Sequence, residues 1–374
     1  MLSYAITGKN TTSPKSLLIF EGTCTKEETK VAEYLKEKDT VRVFQFRTKI
    51  GAGDFRDDAI ENDTFIIGVK DKVFKVGNGA RGDGAELETS KQSIVHKNCT
   101  MAAVAKLVSD NEVDTVNLAV GLPAKEWAVV SKREDYKDFM FPSSTIEVKI
   151  KENSTSPVKT KKFKINKEKS CVFPESIGAL FMDDSPKVTP TSYIGVLDLG
   201  NLNLNATLWQ GIELQQDESI TSELGGSILI QEVSQELSAE FSRCDEKYVA
   251  QMLKKVPEKR HLTPRVKNPN DKDEAKYNQK IIDDSRELIH KIELDHAKKV
   301  KRCCDGRNWS IDYMDIVAIG GTSSIIKDEL KEVFGNITIL KNSEMCNALG
   351  FLRMLCSRMP EINKVIPLTD IKNF

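Results

Sequence analysis

Two segments in the second half of the chain share one pattern, in which a run of apolar residues ends at a glycine turn. They span residues 193–205 and 315–326, and in each the apolar run gives way to glycine and polar residues. A short apolar run bounded by turn residues indicates a strand buried on both faces. Such strands are typical of sheets covered by helices on both sides, so the pattern predicts an α/β fold.

The residues at the two turns indicate what each could bind. Asp198 is a lone carboxylate at the end of the first apolar run, and Gly200 and further polar residues follow it. Backbone N–H groups in such a turn can face an anion, which suits a metal-bound phosphate. Gly320 and Gly321 lack a Cβ atom, so a flat ring or a ribose can lie against the backbone where a helix begins near Ser323.

Length and charge limit the class of protein. At 374 residues the chain exceeds the size of one hydrophobic core, which predicts two domains. No window approaches eighteen consecutive apolar residues, and the first residues lack a basic signal-peptide region, so we expect a cytoplasmic protein with no membrane partner. The formal charge of −1 supplies no general attraction to nucleic acid, which makes any DNA contact local or indirect.

Cysteine and histidine patterns argue against a zinc site. The eight cysteines are scattered without a C-x-x-C motif, and none of the four histidines has metal-ligand spacing. Reduced and mostly buried thiols are the expected state.

Periodicity predicts alternating strands and helices along the whole chain. In the first half we expect strands at 4–6, 16–20, 41–46 and 116–120, hairpins at 64–76 and 144–166, a helix after a capping box at 25–28, and a helix at 100–108. In the second half we expect a helix opening at 225–227, a long charged helix at 273–303, a short strand at 337–340 and a closing helix at 343–358.

Six motifs in this order resemble those of the actin-like ATPases. They are Gly-Leu-Pro at 121–123, Pro-Glu-Ser-Ile-Gly-Ala-Leu at 174–180, Leu-Asp-Leu-Gly-Asn at 197–201, Gly-Gly at 225–226, Ile-Gly-Gly-Thr-Ser at 319–323 and Asn-Ala-Leu-Gly-Phe at 347–351. Within this superfamily the chain is most similar to ParM, the filament protein of bacterial plasmid segregation, and its relatives. Each motif is common by itself, and the resemblance depends on their shared order.

The resemblance implies two actin-like, ribonuclease-H-like domains, each a mixed five-stranded sheet flanked by helices, with a nucleotide and Mg²⁺ in the cleft between them. Domain I would comprise 1–185, with a small insertion at about 36–98, and the C-terminal helix at about 343–374 would complete it. Domain II would comprise 186–342, with a helical insertion at about 228–305.

The same resemblance implies roles for single residues. Asp198 would act on the Mg²⁺ shell through water, and Glu175 would orient the water that attacks the γ-phosphate. The other nucleotide-binding residues of the second domain would be Gly200, Asn201, Asn203, Gly225, Gly226, Gly320, Gly321 and Thr322. Simpler interpretations stay open: Glu175 as a residue at a helix N-terminus, the glycine pair at 225–226 as an ordinary loop, and Asp198 as a turn residue.

The first phosphate loop departs from the family pattern. Thr7 stands where the family places an aspartate, and the loop continues with Gly8, Lys9, Asn10 and Thr11. These five residues are expected to hold phosphates without that carboxylate. Metal coordination would then depend more heavily on Asp198.

The resulting hypothesis is a filament protein that polymerises with ATP or GTP and Mg²⁺ and hydrolyses the nucleotide slowly. Its partners would be copies of itself and a DNA-binding adaptor protein, through which it would segregate plasmid DNA indirectly. Two alternatives are a small-molecule kinase of the same superfamily and a nucleotide-binding filament scaffold with little hydrolysis.

Overall fold

The computed structural model describes residues 3–8, 28–35, 38–82, 84, 91–110, 112–268, 270–307, 309–360, 362, 365–366, 368 and 371–373. The chain forms two compact units. The first comprises Met1–Ser192, Trp209–Gln216 and Leu340–Phe374, and the second comprises Tyr193–Leu208 and Asp217–Ile339. The domain limits expected from the resemblance stay a prediction. Within the described residues, no helix combines the length and the apolar character that crossing a membrane requires.

Sixteen strands are found in the described parts of the chain. They are β1 Ser3–Gly8, β2 Glu28–Leu35, β3 Thr40–Arg47, β4 Ile50–Ala52, β5 Thr64–Val69, β6 Lys72–Gly77, β7 Val113–Leu122, β8 Ile146–Lys151, β9 Lys159–Ile165, β10 Cys171–Pro174, β11 Tyr193–Leu199, β12 Leu204–Gln210, β13 Glu213–Ser222, β14 Asp315–Ile319, β15 Ile337–Ile339 and β16 Ile371–Asn373.

Nine α-helices alternate with these strands in the same described residues. They are α1 Ile94–Leu107, α2 Ala124–Trp127, α3 Val130–Met140, α4 Gly226–Glu240, α5 Glu246–Leu253, α6 Lys272–Asp305, α7 Gly321–Ile325, α8 Lys327–Phe334 and α9 Cys346–Ser357. Short 3₁₀ turns occur at Ile177–Phe181, Pro257–Lys259, Ile311–Tyr313 and Ser343–Met345.

The strands form two mixed sheets, which confirms the predicted α/β fold. A five-stranded sheet has the order β13-β12-β11-β14-β15, with β11 and β14 at its centre. The other sheet has eleven strands, in the order β16-β3-β2-β1-β7-β9-β8-β5-β6-β4, and β10 pairs with β7. It extends beyond five strands because β9, from the predicted hairpin β8–β9, pairs with β7. On the other side of that hairpin, β8 pairs with β5 of the predicted hairpin β5–β6.

The helix predicted after the capping box at 25–28 is wrong, because Glu28–Leu35 forms β2. This strand pairs with β1 on one side and β3 on the other. Val31 and Tyr34 are both buried, and every residue from 29 to 34 is buried with them. Burial on both faces and pairing on both edges outweigh a local capping pattern. The strand predicted at 16–20 lies outside the described residues.

Most other predicted elements are present, with differences at their ends. The helix predicted at 100–108 is α1, which begins earlier because Ser93 caps it by accepting a hydrogen bond from His96 N. The long charged helix is α6, whose N-terminus Asp271 caps in the same way. The closing helix begins at Cys346 after a 3₁₀ turn.

Each unit has its own hydrophobic core. In the first unit, α1 supplies buried side chains such as Met101 and Val104 to a core built with the strands of the eleven-stranded sheet. In the second unit, Leu197 of β11 and Ile316 of β14 pack with residues of α4, α6 and α8. The carboxyl ends of β10, β11 and β14 are all buried.

Candidate functional site

The two glycine turns at Asp198 and Gly320 lie side by side. β11 and β14 are parallel neighbours, and their register places Asp198 opposite Ile319. Both turns therefore leave the sheet at its carboxyl edge. Ligands of open α/β sheets bind outside the carboxyl ends of parallel strands, so this edge is the expected position for a site.

Gly200 connects the three loops of this edge. Its carbonyl oxygen accepts hydrogen bonds from Gly226 N at 3.0 Å and from Thr322 Oγ1 at 2.9 Å. Its own N–H donates to the carbonyl oxygen of Asn203 at 3.0 Å. Residues from three separated stretches of the chain are thus joined around Gly200.

The glycine pair at 225–226 is required by the close approach of these loops. A Cβ atom on Gly225 would lie 2.3 Å from the carbonyl carbon of Leu202 and 2.4 Å from the carbonyl oxygen of Asn201. A Cβ on Gly226 would lie 2.5 Å from Thr322 Oγ1. Ser227 N donates to the Asn201 carbonyl oxygen at 2.6 Å and closes the contact. The pair is therefore a specific packing feature of this edge.

Positions 320 and 321 are both glycine, but for different structural reasons. Gly320 has a φ of +92°, and a Cβ there would lie 2.3 Å from the Leu199 carbonyl oxygen and 3.0 Å from Asp198 Oδ1. Gly321 begins α7, and a Cβ there would meet no protein atom within 4 Å. The fold thus requires glycine at position 320, whereas at position 321 the protein itself leaves space.

Asp198 lies fully buried near the end of β11, beside the backbone of Gly320. The polar side chains of this turn are a carboxylate and the amides of Asn201 and Asn203, which offer oxygen ligands. Magnesium prefers such hard oxygen donors, whereas zinc prefers nitrogen and sulfur. The residues present therefore fit Mg²⁺.

Glu175 occupies a comparable position in the first unit, directly after β10. β10 pairs in parallel with β7, and Glu175 N donates to the Leu122 carbonyl oxygen at 2.8 Å. The next residue, Ser176, has a φ of +76° in the left-handed region, where a residue with a Cβ is strained. Ser176 N donates to Asn347 Oδ1 at 3.0 Å, which helps to hold this conformation.

The motifs at 174–180 and 347–351 pack directly against each other. A Cβ on Gly350 of α9 would lie 2.1 Å from the Gly178 carbonyl oxygen, and a Cβ on Gly178 would lie 2.7 Å from Asn347 Cα. Two glycines let the 3₁₀ turn after Glu175 approach the helix backbone. These two motifs, recognised separately in the sequence, form one structural unit that positions Glu175.

A charged partner of Glu175 was not predicted from the sequence. Lys91 Nζ donates to Glu175 Oε1 and forms a buried ion pair with it. Lys91 precedes Ser93, the N-cap of α1, and lies 84 residues from Glu175. No local spacing connects two residues so far apart, so only tertiary structure reveals this pair.

The first phosphate loop is described only at its beginning. Thr7 and Gly8 end β1, where they pair with Asn117 and Val116 of β7. Lys9, Asn10 and Thr11 lie outside the described residues. The phosphate-binding role of these five residues stays a prediction.

One other cluster in the described chain has metal-ligand chemistry: His290, Glu293 and Glu329. Arg260 Nη1 donates to Glu293 Oε1 at 2.7 Å, and His290 Nδ1 lies 3.0 Å from Glu329 Oε1. Burial raises the pKa of Glu293 to about 7, although Arg260 opposes the shift. The cluster is explained by the ion pair between Arg260 and Glu293 and the contact between His290 and Glu329.

Comparisons with known proteins agree with the fold. Residues 26–178 match the family model described as the N-terminal domain of actin-like proteins. A comparison with curated proteins finds no match.

Solved structures resemble the chain over nearly its full length. The Alp12 filament structure is 18% identical, with a TM-score of 0.61 over 89% of this chain and 96% of that one. The archaeal actin homologue Ta0583 is 14% identical, with a TM-score of 0.67 over 96% and 100%. Bacillus thuringiensis ParM with ATP is 15% identical, with a TM-score of 0.59 over 90% and 97%.

These findings confirm the resemblance predicted from the six motifs. The chain has the actin-like fold, its N-terminal part matches the model of actin-like proteins, and its structural neighbours include ParM proteins.

Proposed function

We propose that this actin-like chain binds a nucleoside triphosphate with Mg²⁺, assembles with copies of itself into a filament, and hydrolyses the nucleotide slowly. The observation that carries the proposal is the convergence of the predicted residues of the second unit. Three loops, containing Asp198, Gly200, the pair at 225–226 and the turn at 320–322, meet at the carboxyl edge of β11 and β14. The neighbours include an archaeal actin homologue in complex with ADP and a ParM with ATP.

The chemistry of this edge suits a phosphorylated nucleoside. Glycine turns allow a ligand to approach backbone N–H groups, which are preorganised donors for phosphate oxygens. The space beside Gly321 suits the flat face of a base or a ribose. Asp198 would hold Mg²⁺ through water, and the ion would supply charge neutralisation for the phosphates.

Glu175 is the proposed catalytic residue for hydrolysis. A carboxylate can accept a hydrogen from the attacking water and so orient its oxygen towards the γ-phosphorus. The strained Ser176 and the packing of Gly178 on α9 hold Glu175 in place, which is the preorganisation that such a role requires.

The biological role that we propose is segregation of plasmid DNA. The fold neighbours include a filament structure, Alp12, and several ParM proteins. The formal charge of −1 fits contact with DNA through a DNA-binding adaptor rather than directly. We propose that the protein acts in the cytoplasm as a homopolymer.

A pelleting assay with ATP, GTP, ADP or no nucleotide tests the proposal, with phosphate release measured in the same tube. We expect triphosphate-dependent and Mg²⁺-dependent pelleting, followed by slow phosphate release and disassembly. Soluble protein with every nucleotide at high protein concentration contradicts the filament. Pelleting with phosphate release that Glu175→Ala leaves unchanged supports a scaffold with little hydrolysis instead.

Gly321→Ala tests where the nucleoside lies. Because a Cβ at this position meets no protein atom, we expect unchanged thermal stability and about tenfold weaker nucleotide binding. A fluorescent ATP analogue and a melting curve provide the two measurements. Gly306→Ala is the matched control, because Gly306 also lies in helical conformation but at the far end of α6. Wild-type affinity in Gly321→Ala places the nucleoside elsewhere.

A further inference from the structure

The ion pair between Lys91 and Glu175 is buried on both sides. The Lys91 side chain is 10% exposed and the Glu175 side chain 1% exposed. Removing two charges from water is costly, and a buried carboxylate without a cation loses its charge readily. Well-packed apolar residues often stabilise a protein as much as a buried ion pair does. Stability alone therefore does not explain why two charged residues occupy these positions.

Two separate rigid elements impose the geometry of the pair. On one side, Lys91 lies two residues before Ser93, which caps α1, a helix whose buried face belongs to the core of the first unit. On the other side, Glu175 is held by its hydrogen bond to Leu122 and by the contact between Ser176 and Asn347. The ammonium and the carboxylate are therefore brought together by the fold and not by flexible surface side chains.

The chemistry of the two groups allows both to serve hydrolysis. The charged carboxylate is the better hydrogen acceptor for water, because protonation turns one of its two oxygens into a donor. A carboxylate accepts through both oxygens, so a bond from Lys91 to Oε1 is compatible with a water molecule on Oε2. A cation at this place keeps the carboxylate charged and limits its rotation.

We propose that Lys91 is a positioning residue for nucleotide hydrolysis, which holds Glu175 ionised and oriented and thereby sets the rate of turnover without contributing to nucleotide affinity. This inference depends on the role proposed for Glu175. Lys91 acts through Glu175 and is assigned no contact with the nucleotide.

Lys91→Gln is the principal variant, because glutamine keeps a hydrogen-bond donor but removes the charge. We expect kcat for phosphate release to fall about tenfold or more, while KM and the affinity for a fluorescent ATP analogue stay within about twofold. Lys91→Arg restores the charge and is expected to turn over faster than Lys91→Gln and slower than wild type.

Lys161→Gln is the matched control. Lys161 is also a buried lysine of the first unit, and it pairs with Asp110 and donates to the Val108 carbonyl oxygen. Its loss carries the general cost of removing a buried cation, so we expect a lower melting temperature with unchanged kcat. A kcat that falls equally in Lys161→Gln and Lys91→Gln shows only a structural role and overturns the proposal.

A double-mutant cycle separates this inference from a general loss of activity. If Lys91 acts through Glu175, adding Lys91→Gln to Glu175→Gln has little further effect on kcat. If the two substitutions instead reduce kcat independently, so that their effects multiply in the double variant, the proposal is overturned. Faster hydrolysis in Lys91→Gln than in wild type overturns it as well. If Lys91→Gln unfolds below the assay temperature, Lys91→Arg replaces it as the test variant. A folded Lys91→Arg protein that hydrolyses nucleotide as slowly as Glu175→Gln contradicts the proposal that the positive charge is what matters.

The same experiments distinguish failure of the inference from failure of the proposed function. Wild-type protein that neither binds nor hydrolyses nucleotide contradicts the proposed function before any variant is made. Active wild type, a slow Glu175→Gln variant and a wild-type kcat in Lys91→Gln overturn the role of Lys91 alone.

Discussion

The two buried carboxylates of the candidate machinery, Glu175 and Asp198, are held by different means. Glu175 in the first unit forms an ion pair with Lys91 and precedes a turn that packs on α9. Asp198 in the second unit lies near the end of a central strand, beside the backbone of Gly320. A buried lysine pairs with the first carboxylate, and a glycine turn lies beside the second.

This difference matches the tasks that we propose for the two groups. A carboxylate that orients water benefits from a fixed cation, which keeps it charged within the protein. A carboxylate that serves a metal ion receives compensating charge from that ion. Close packing explains the glycines beside Glu175 and Gly320 beside Asp198, whereas Gly321 is the position where the protein leaves space.

The largest expected effect is on the Glu175 side, in Gly350→Ala. The new Cβ would lie 2.1–2.5 Å from backbone atoms of Gly178, which cannot move without displacing the turn after Glu175. We expect a loss of about 3 kcal/mol in the free energy of unfolding, together with a loss of hydrolysis. Denaturant unfolding measures the first effect and phosphate release the second. Stability equal to that of Gly306→Ala would falsify the close packing of the two motifs.

A smaller loss of stability, with a stronger effect on binding, is expected for Gly320→Ala on the Asp198 side. The positive φ and the nearby Leu199 carbonyl oxygen both oppose a Cβ, which costs about 2 kcal/mol. Because the strain alters the turn beside Asp198, nucleotide affinity should fall more than in Gly321→Ala. A fluorescent ATP titration compares the two neighbouring variants. Equal affinities in both contradict the different reasons given for the two glycines.

The smallest effect concerns Glu293, a buried carboxylate that pairs with Arg260 and that we assign no catalytic role. Its pKa is raised from 4.5 to about 7, mainly by burial, so the folded state binds a proton more tightly than the unfolded state. The resulting stability is fully present below pH 4.5 and is lost as pH rises through about 7. Glutamine does not titrate, so the stability of Glu293→Gln does not include this pH-dependent contribution.

We therefore expect the stability of wild type relative to Glu293→Gln to fall by about 1–3 kcal/mol between pH 5 and pH 8. Denaturant unfolding of both proteins at the two pH values measures the change. A difference that is independent of pH contradicts the raised pKa of Glu293. Nucleotide hydrolysis in Glu293→Gln should equal that of wild type, in contrast to Glu175→Gln.

Sequence patterns predicted the elements that depend on neighbouring residues. The strand before Asp198, the glycine turns and the long helix α6 all follow from apolar periodicity, turn residues and caps within about one element. The same kind of pattern failed for Glu28–Leu35, where a capping box suggested a helix. Pairing of that strand with two neighbours determines its conformation, and a local pattern contains no information about such neighbours.

The sequence by itself determined the α/β class and the resemblance to actin-like proteins, because both depend on the order of local motifs along the chain. Tertiary structure alone decided that Gly178 packs on Gly350, that Gly200 joins three loops, and that Lys91 reaches Glu175. The physical reason is that close backbone approaches and buried ion pairs join residues far apart in sequence. Their partners are selected by the packing of whole elements, which no local spacing records.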